Sequence, residues 1–542
     1  MLHWLRQYRR AQLPGDISAG IVVAMMMIPQ GMAYALVAGL PPVAGIYASI
    51  VPPVLYALFG TSGTQSVGPM AIISLMTASA LAPLAVPGSG LYGVLAAQLA
   101  LLSGAVLLLC GALRIGFLAN FFSRPVMSGF TIGSAIVIAL GQVKPLLGAE
   151  FPHVHAPSAA LGVGSLVLLL LARSWLAPLL ARLGMPKTAA EVGARLAPMA
   201  VVIGATVLMA TTELATLGVR MTGDVPSGLP RLNLALSHAH WQALLQPALL
   251  TGFMVFLISM SGAQTLALKR AEKLSSNAEL VALGAANVGS ALSGGFPVTG
   301  SLSRSAVNFS AGANTQLASL ITASLLALAL VAPNGWLALL PLPTLAATIV
   351  VAVLGMLELS TLRTALRYDR ADALALLATA AGVLGLGVEA GVLVGVALSM
   401  GSLIWRASRP HIAVLGRIPG TEHFRNIERY SAETASGLLV LRVDAGLFFG
   451  NVEPVTERIE DELEARPGTR HLVLVLSAVN AIDTSALFAL SELNTTLAKR
   501  GIGLHLAEVK GPVMDRLKRS ELLATLNGKV FLSTAMAWDA LA

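Results

Sequence analysis

Apolar residues recur along this chain in successive runs of about 20, the length an α-helix needs to cross a bilayer, and no other feature limits its folding so severely. The runs start near Ile17, Val43, Gly68, Leu91, Val126, Ala160, Pro198, Ala248, Glu279, Ser301, Thr315, Pro343, Ala373 and Gly387. Of the 542 residues only 11% are charged, against 56% hydrophobic. Soluble domains carry about a quarter charged residues, so an ordinary soluble enzyme is excluded and the lipid bilayer is the first implied partner. The lone cysteine, Cys110, lies inside an apolar run, which leaves no disulfide framework and no thiolate metal site.

Charge divides the chain. Residues 1–406 carry 20 Lys and Arg against 11 Asp and Glu, whereas residues 407–542 carry 15 against 16. The second part has the charge density of a soluble domain. We therefore expect a transmembrane domain over 1–406, a linker with the first element of the tail over 407–436, and a folded tail over 437–542. The basic start leads straight into a full-length apolar segment, so no cleavable signal peptide is expected.

Fourteen runs give fourteen spans, with the third and tenth short. Cytoplasmic loops of membrane proteins are enriched in Lys and Arg. With the N-terminus inside, 16 of the 20 basic residues fall on cytoplasmic stretches. The outer loops then hold only Lys144, Arg220 and Arg231, and Arg304 alone is left within the membrane. An odd span count would scramble this asymmetry. Both termini are expected in the cytoplasm of a cell with this protein in its inner membrane.

The tail alternates strand and helix patterns. Residues 437–443, 471–476 and 502–507 are apolar runs of strand length. Val452, Val455, Ile459 and Leu463 repeat at helical spacing, as do Leu487, Leu490, Leu493 and Leu497, and 512–526 reads as a third helix. Strands covered by helices on one side form a small α/β sandwich. No phosphate-binding glycine motif occurs there.

Two membrane segments are broken by polar, glycine-rich sequence: 60–69 (GTSGTQSVGP) before the apolar 70–76, and 294–304 (GGFPVTGSLSR) before 305–311. They occupy matching places, third and tenth of fourteen, as an inverted repeat of seven plus seven requires. Half-helix termini present free backbone N–H groups and about half a positive charge. Pro69 suits a first helical turn, and Ser301 suits an N-cap that leaves the amides of Leu302, Ser303 and Arg304 available. A charge within the membrane costs roughly 2.5 kcal/mol or more and marks a functional or paired site. Arg304, placed at two facing helix starts, would favour an anion. Its structural alternative is an ion pair, with Glu279 or Glu358 as partner. Gln30 in the first span could donate to the same ligand, with Tyr34 one turn further, although a lone Gln also serves to join helices.

The stretch 40–47 (LPPVAGIY), then Tyr56, 60–62 (GTS), Gly68 and Pro69, resembles the sulfate-permease signature of the SulP family, relatives of animal anion exchangers and prestin. Residues 116–130 (GFLANFFSRPVMSGF) and 296–308 (FPVTGSLSRSAVN) are similar to that family too, and the tail resembles its STAS domain. The resemblance implies an α-helical polytopic protein of seven plus seven inverted repeats, core and gate subdomains, elevator-type motion and a homodimer. It also implies an anion between the third and tenth helix starts, contacted by Gly68, Pro69, Met70, Ser301, Leu302, Ser303 and Arg304, with Gln30 and Tyr34 nearby. Position 70, often aromatic in animal members, is Met here. The loop 482–485 (IDTS) resembles the phosphorylatable loop of anti-sigma-factor antagonists, with Ser485 at the acceptor position. The glycine usual after it is Ala486, and helix capping by Asp483 or Thr484 is the reading adopted.

The expected function is secondary transport of a small anion: a sulfate-type oxyanion by default, with bicarbonate, chloride and dicarboxylates as alternatives. An uncoupled anion channel and a STAS-based signalling scaffold with a cytoplasmic protein partner are the competing readings. Arg304, and the lack of an acidic residue in the eighth span, disfavour a nucleobase permease. No nucleophile–base pair or metal cluster points to an enzyme, a cofactor or nucleic acid. The family's coupling carboxylate aligns with Ile258, flanked by Ser259 and Ser261, and no acid lies between Ala248 and Arg270. Isoleucine carries neither proton nor charge, so exchange or facilitated diffusion is expected, with Glu279 as the one acid that could have moved into the role.

Overall fold

The computed structural model describes residues 3–6, 8–117, 123–149, 153–223, 225–230, 232, 240–270, 272–332 and 334–542. Arg231, and positions 118–122 of the 116–130 motif, lie outside the described residues. Two compact units result, Met1–Ser399 and Met400–Ala542.

The first unit is helical. Its principal helices in chain order are α1 (Leu13–Val37), α2 (Pro42–Tyr47), α3 (Val51–Phe59), α4 (Ala71–Leu81), α5 (Gly90–Ala112), α6 (Arg124–Gly141), α7 (Ala156–Leu171) and α8 (Ala197–Thr211). There follow α9 (Trp241–Arg270), α10 (Ser276–Leu292), α11 (Leu302–Ser310), α12 (Leu317–Val331), α13 (Leu342–Leu354), α14 (Arg370–Leu386) and α15 (Val388–Ser408), which continues across the boundary. Among the described residues eight helices are long and apolar enough to cross a membrane, or nine if the pair Ala189–Arg195 and Ala197–Thr211, bent by 46°, is one span. Each of the fourteen expected starts falls on or beside a helix, but α4, α8, α10, α11, α12 and α14 are shorter than a full crossing, whereas α2 with α3, α7 and α13 reach that length only as the continuous stretches Pro42–Phe59, Ala156–Arg182 and Leu342–Tyr368.

Helix contacts follow from small residues. A Cβ on Gly104 of α5 would lie 2.8 Å from the Gly284 carbonyl of α10, and one on Gly284 would lie 2.9 Å from the Gly104 carbonyl. Where lipid is as apolar as the helix surface, such close backbone approach supplies the packing. Helices α1, α3, α4, α5, α9, α10, α11 and α12 pack chiefly among themselves, while α6 packs on α14 and α7 on α13.

Buried carboxylates fasten the ends of these helices. Asp16 of α1, with no exposed surface, accepts from the Asn314 amide (2.6 Å), the Thr315 amide (3.0 Å) and the Thr315 hydroxyl (2.7 Å) just before α12. Glu279 in the first turn of α10 accepts from the Tyr56 hydroxyl (2.6 Å), the Thr61 amide (2.8 Å) and the Thr61 hydroxyl (2.6 Å). Both sit where helix N-termini favour negative charge.

The second unit is a six-stranded sheet of order β4-β3-β5-β6-β7-β8. Its strands are β3 (Ile412–Arg417), β4 (Phe424–Asn426), β5 (Leu438–Val443), β6 (His471–Val475), β7 (Gly503–Ala507) and β8 (Val530–Phe531), the labels β1 and β2 being kept for the pair at the membrane site. Strand β3 runs antiparallel to β5, and β5 through β8 are parallel. One face, with Leu439, Leu441, Leu472, Leu474, Leu504 and Leu506, packs on α16 (Val452–Glu464), α17 (Thr484–Lys499) and α18 (Gly511–Leu517). The other face, with Leu438, Val440, Val473 and Val475, packs on α19 (Thr534–Leu541) through Ala537 and Trp538. The expectation of helices on one side is thus corrected: both faces are covered, the physical reason for the near-continuous apolar runs of β5 and β6. The third expected helix, 512–526, ends at Leu517 and resumes only as the turn Leu522–Thr525.

Asp483 caps α17, accepting from the Ala486 amide at 2.8 Å, and Ser485 is exposed in the first turn. His505 on β7 is buried, its Nδ1 accepting from the Lys529 amide at 2.9 Å and its Nε2 lying 3.2 Å from His471 Nδ1. Burial, then the neighbouring His471 and Lys529, push its pKa down to about 4. The unfolded chain, titrating near 6.5, then binds more protons than the folded one between pH 4 and 6.5, so stability falls as pH falls through that window. Thermal unfolding of residues 400–542 at stepped pH is expected to show this slope, and His505→Gln to flatten part of it. An identical slope in the variant would assign the acid sensitivity to other groups.

Candidate anion site at two broken helices

Hydrocarbon offers no partner for bare peptide groups, so non-helical backbone at membrane depth must be satisfied by protein. The two glycine-rich segments first do this for each other. Strand β1 (Val67–Gly68), between α3 and α4, pairs antiparallel with β2 (Thr299–Gly300), between α10 and α11, in the register Val67–Gly300 and Gly68–Thr299. The Ser301 amide extends the pairing to the Ser66 carbonyl at 3.1 Å.

Buried polar side chains satisfy the rest. Asn287 of α10 clamps Val298, accepting from its amide at 2.9 Å and donating to its carbonyl at 3.0 Å. Thr299 donates to the Val255 carbonyl of α9 at 2.9 Å. Asn308 donates to the Thr64 carbonyl at 2.9 Å, and Gln316 to the carbonyls of Ser62 (2.6 Å) and Gln65 (3.1 Å). The Ser66 amide donates to Ser305 Oγ at 2.9 Å, and the Gln65 side chain donates to Ser259 on α9. Sequence reasoning passed over Gln65, Asn287, Asn308 and Gln316; their signal was a polar side chain inside an apolar segment.

From this crossing α4 and α11 begin. Met70, extended at φ −143° and ψ 140°, is the N-cap of α4 and offers no side-chain acceptor to the amides of its first turn. Pro69 therefore precedes the helix rather than entering it, a correction to its expected place, and its carbonyl is free for another partner. Ser301 caps α11 as expected, but its hydroxyl faces the Arg304 amide at 3.5 Å, so only Leu302 and Ser303 keep their amides uncapped.

Arg304 reaches back from α11 across the crossing. Its Nη1 donates to the Pro69 carbonyl at 2.6 Å, while Nε and Nη2 have no partner among the described residues, and the residue is 2% exposed. The expected alternative fails for Glu279, whose oxygens are held by Tyr56 and Thr61. The guanidinium also passes close to Gly68, where a Cβ would lie 3.4 Å from Nη2 and 2.5 Å from Met27 Cε. Glycine at 68 is thus what lets the cation and α1 meet at this point.

Helix α1 packs against both α4 and α11. Tyr34 is buried within electrostatic reach of Arg304, and Gln30 sits one helical turn before it, half-buried. Met70 is buried, whereas Leu302 and Ser303 are exposed at the start of α11. Of the coupling positions, Ile258 and Ser259 are buried and Ser261 is exposed, near the point where Gly262 of α9 approaches Leu302. Two helix starts and one guanidinium with unused donors make a field that favours an anion over a cation or a neutral solute.

The chain matches the sulfate permease family over residues 13–379 and the STAS domain over residues 429–537. A Mycobacterium tuberculosis protein described as a probable sulfate transporter is 38% identical, the alignment covering 96% of this chain and 93% of that protein. The chloroplastic sulfate transporter 4.1 of Arabidopsis thaliana is 34% identical over 97% of this chain and 80% of that one. In fold, the chain is similar to murine solute carrier 26 family member A9, described as an anion transporter in the inward-facing state, with a TM-score of 0.89 over 100% of this chain and 94% of that one at 22% identity. It is also similar to the transmembrane domain of the cyanobacterium bicarbonate transporter BicA, with a TM-score of 0.60 at 20% identity, covering 73% of this chain and 99% of that one.

The crossing itself is open to test. A Cβ on Gly300 would lie 1.7 Å from Gln65 Nε2 and 2.5 Å from Ser259 Oγ, whereas one on Gly164 of α7 meets nothing within 4 Å. Gly300→Ala is expected to destabilise the purified protein by the upper end of the ~1–3 kcal/mol typical of overpacking, and Gly164→Ala to leave its melting point nearly unchanged. Equal melting points for the two variants would contradict the described approach.

Proposed function

The chain belongs to the sulfate permease family, as a multi-pass membrane transporter with a C-terminal STAS domain, and from that premise we propose that it carries a small oxyanion, sulfate by default, bound between the starts of α4 and α11. The observation that carries this reading is Arg304: a buried guanidinium with two donors unused among the described residues, at the meeting point of two helix starts, of which that of α4 has no side-chain cap and that of α11 has only Ser301. In this reading Gly68, Pro69, Met70, Ser301, Leu302, Ser303 and Arg304 form the site, and Gln30 and Tyr34 close it from α1.

The motion proposed is an elevator. The site-bearing helices α1, α4 and α11 belong to the group that packs chiefly on itself, against a second group around α6, α7, α13 and α14. Rigid movement of the first group past the second would expose the site alternately to either side, as the fourteen-span arrangement of two inverted seven-span halves requires. Loop contacts support the span count. Stretches assigned inside are bonded to one another, Gly116 to Asn277 and Thr61 to Glu279. Stretches assigned outside are as well, the Gly88 amide to Gly39 and the Leu342 amide to Arg220, each at 3.0 Å. The reading places both termini in the cytoplasm and the protein in the inner membrane as a homodimer, with a transmembrane domain over 1–406, a linker and the first STAS element, which includes β3 and β4, over 407–436, and the rest of the STAS domain over 437–542 free to take a cytoplasmic protein partner. Ser485 is exposed and would be reachable by a kinase, but the capping carboxylate of Asp483 gives the loop a structural role that needs no phosphate.

Transport without ion coupling is proposed on two grounds. Ile258 replaces the coupling carboxylate, and Ser259 is committed to Gln65. Glu279, the one acid that could have taken over, is held by three donors at the foot of α10, and a proton on it would displace or reverse at least one of these bonds. Exchange or facilitated diffusion remains.

Arg304→Ala is expected to weaken sulfate binding at least about tenfold, the loss of hydrogen bonds to a charged group at roughly 1.5–3 kcal/mol, and Arg304→Lys to keep part of the affinity as a point charge without the planar fork. Wild-type affinity in the alanine variant by titration calorimetry would make Arg304 structural. Flux of labelled sulfate into proteoliposomes is expected to follow the anion gradients alone at fixed voltage. Concentrative uptake driven by an imposed proton or sodium gradient would overturn uncoupled transport and direct attention to Glu279.

A further inference from the structure

Between α13 and α14 lies a short helix, Leu359–Tyr368, that carries Arg363 and Arg367, and α14 itself opens with Arg370. The stretch Leu342–Tyr368 runs for 27 residues, interrupted only at 355–358. At about 1.5 Å per residue from Leu342, Arg363 lies roughly 31 Å and Arg367 roughly 37 Å along it. A bilayer has a hydrocarbon core of about 30 Å and is about 40–45 Å thick with its headgroups. The two arginines therefore fall in the headgroup layer.

Helical spacing sorts the side chains around this end. Arg363 and Arg367, one turn apart, are both exposed, and Leu359 and Leu366, 61% and 56% exposed, occupy the flank next to them. Ala365 is buried on the other side. A strip of leucine thus borders a strip of guanidinium at the depth where acyl chains give way to phosphate.

The protein does not account for these charges. Like charges at i and i+4 on a helix repel. Arg370 and Arg124 stand in the first turns of α14 and α6, where a positive charge opposes the helix dipole. These two starts are neighbours: a Cβ on Gly129 of α6 would meet the Leu376 carbonyl of α14, and one on Gly133 the Ala380 carbonyl, so the helices run parallel. The short helix packs on α6 as well. Among the described residues none of the four arginines has an acidic partner. The nearby acids are engaged otherwise, Asp369 accepting from the Ala371 amide at 2.9 Å and Glu358 facing the Thr361 hydroxyl at 3.5 Å. Basic residues that only set topology need neither this clustering nor these unfavourable helix positions.

We propose that Arg363 and Arg367, with Arg124 and Arg370 beside them, hold the phosphate of an anionic phospholipid whose acyl chains lie along Leu359 and Leu366. The guanidinium fork matches phosphate oxygens in pairs. A lipid with a cationic headgroup would bring like charge to the same cluster, which selects phosphatidylglycerol over phosphatidylcholine. That this end faces the cytoplasm rests on the topology proposed above. The lipid site does not, because a micelle offers lipid to both ends of the protein.

The test titrates the full chain in detergent with phosphatidylglycerol and counts bound lipid by native mass spectrometry. Preferential retention over phosphatidylcholine is expected. Arg363→Gln and Arg367→Gln are each expected to weaken it about fivefold, in line with the attraction of one basic residue to an anionic lipid surface. Arg363→Lys should keep most of the affinity as a point charge. The control is the double variant Arg182→Gln with Lys187→Gln, which removes two exposed cations elsewhere in the membrane unit and should change nothing. Glycerol 3-phosphate, which has the phosphate without the chains, should not compete. Equal weakening by the control would reduce the effect to general surface charge and overturn the site. Unchanged retention in both glutamine variants, equal binding of phosphatidylcholine, or competition by glycerol 3-phosphate would overturn it too. The cytoplasmic orientation is read separately, from access of a membrane-impermeant reagent to Thr364→Cys in sealed vesicles, and its failure would leave the lipid site in place.

Discussion

Backbone amides and carbonyls that leave a helix inside hydrocarbon have no water to turn to, and the architecture around the two broken segments answers that demand. The chain solves it by letting the breaks pair with each other as a short antiparallel ladder and by surrounding the ladder with Gln65, Asn287, Thr299, Asn308 and Gln316. Glycine at 300 follows directly, since Gln65 and Ser259 occupy the space that a Cβ would need. The two helices that start from the ladder present their N-termini at one place as a consequence of that pairing.

The polar residues within the membrane unit divide by how their charge is used. Asp16 and Glu279 each accept three hydrogen bonds and tie separate helices together. Their charge is spent on structure. Arg304 is treated in the opposite way: one donor holds the Pro69 carbonyl, and the rest of the guanidinium has no acceptor among the described residues. An unpaired buried cation is costly, and an arriving anion would relieve that cost. The same economy is visible in the choice of glycine at 68, which gives up side-chain packing so that the cation and Met27 can approach.

The STAS unit follows the rules of soluble proteins. Its parallel strands are buried on both faces, so their side chains are apolar at nearly every position, and alternation is lost as a signal of which face is covered. The terminal helix α19 and the short edge strands β4 and β8 carry too little periodicity to declare themselves, yet α19 closes one whole face through Ala537 and Trp538. His505 illustrates the result: a histidine in an ordinary strand pattern becomes, once buried against His471 and Phe531, a group that resists protonation.

The order of apolar runs, the split between membrane and soluble parts, the two interrupted segments and the lone intramembrane arginine are all written in the linear chain, because each depends only on local composition measured against a bilayer of fixed thickness. The family motifs at 40–47, 60–69 and 296–308 add to this, as do the Ser301 and Asp483 caps, which need only a few neighbouring residues. Other features are decided by residues far apart in sequence. That Pro69 stands outside α4, that its carbonyl receives Arg304, and that Glu279 is bound to Tyr56 rather than to Arg304 all depend on contacts between distant segments. Hydrogen bonds and close backbone approach act over about 3 Å, and only the folded chain brings such groups within that range.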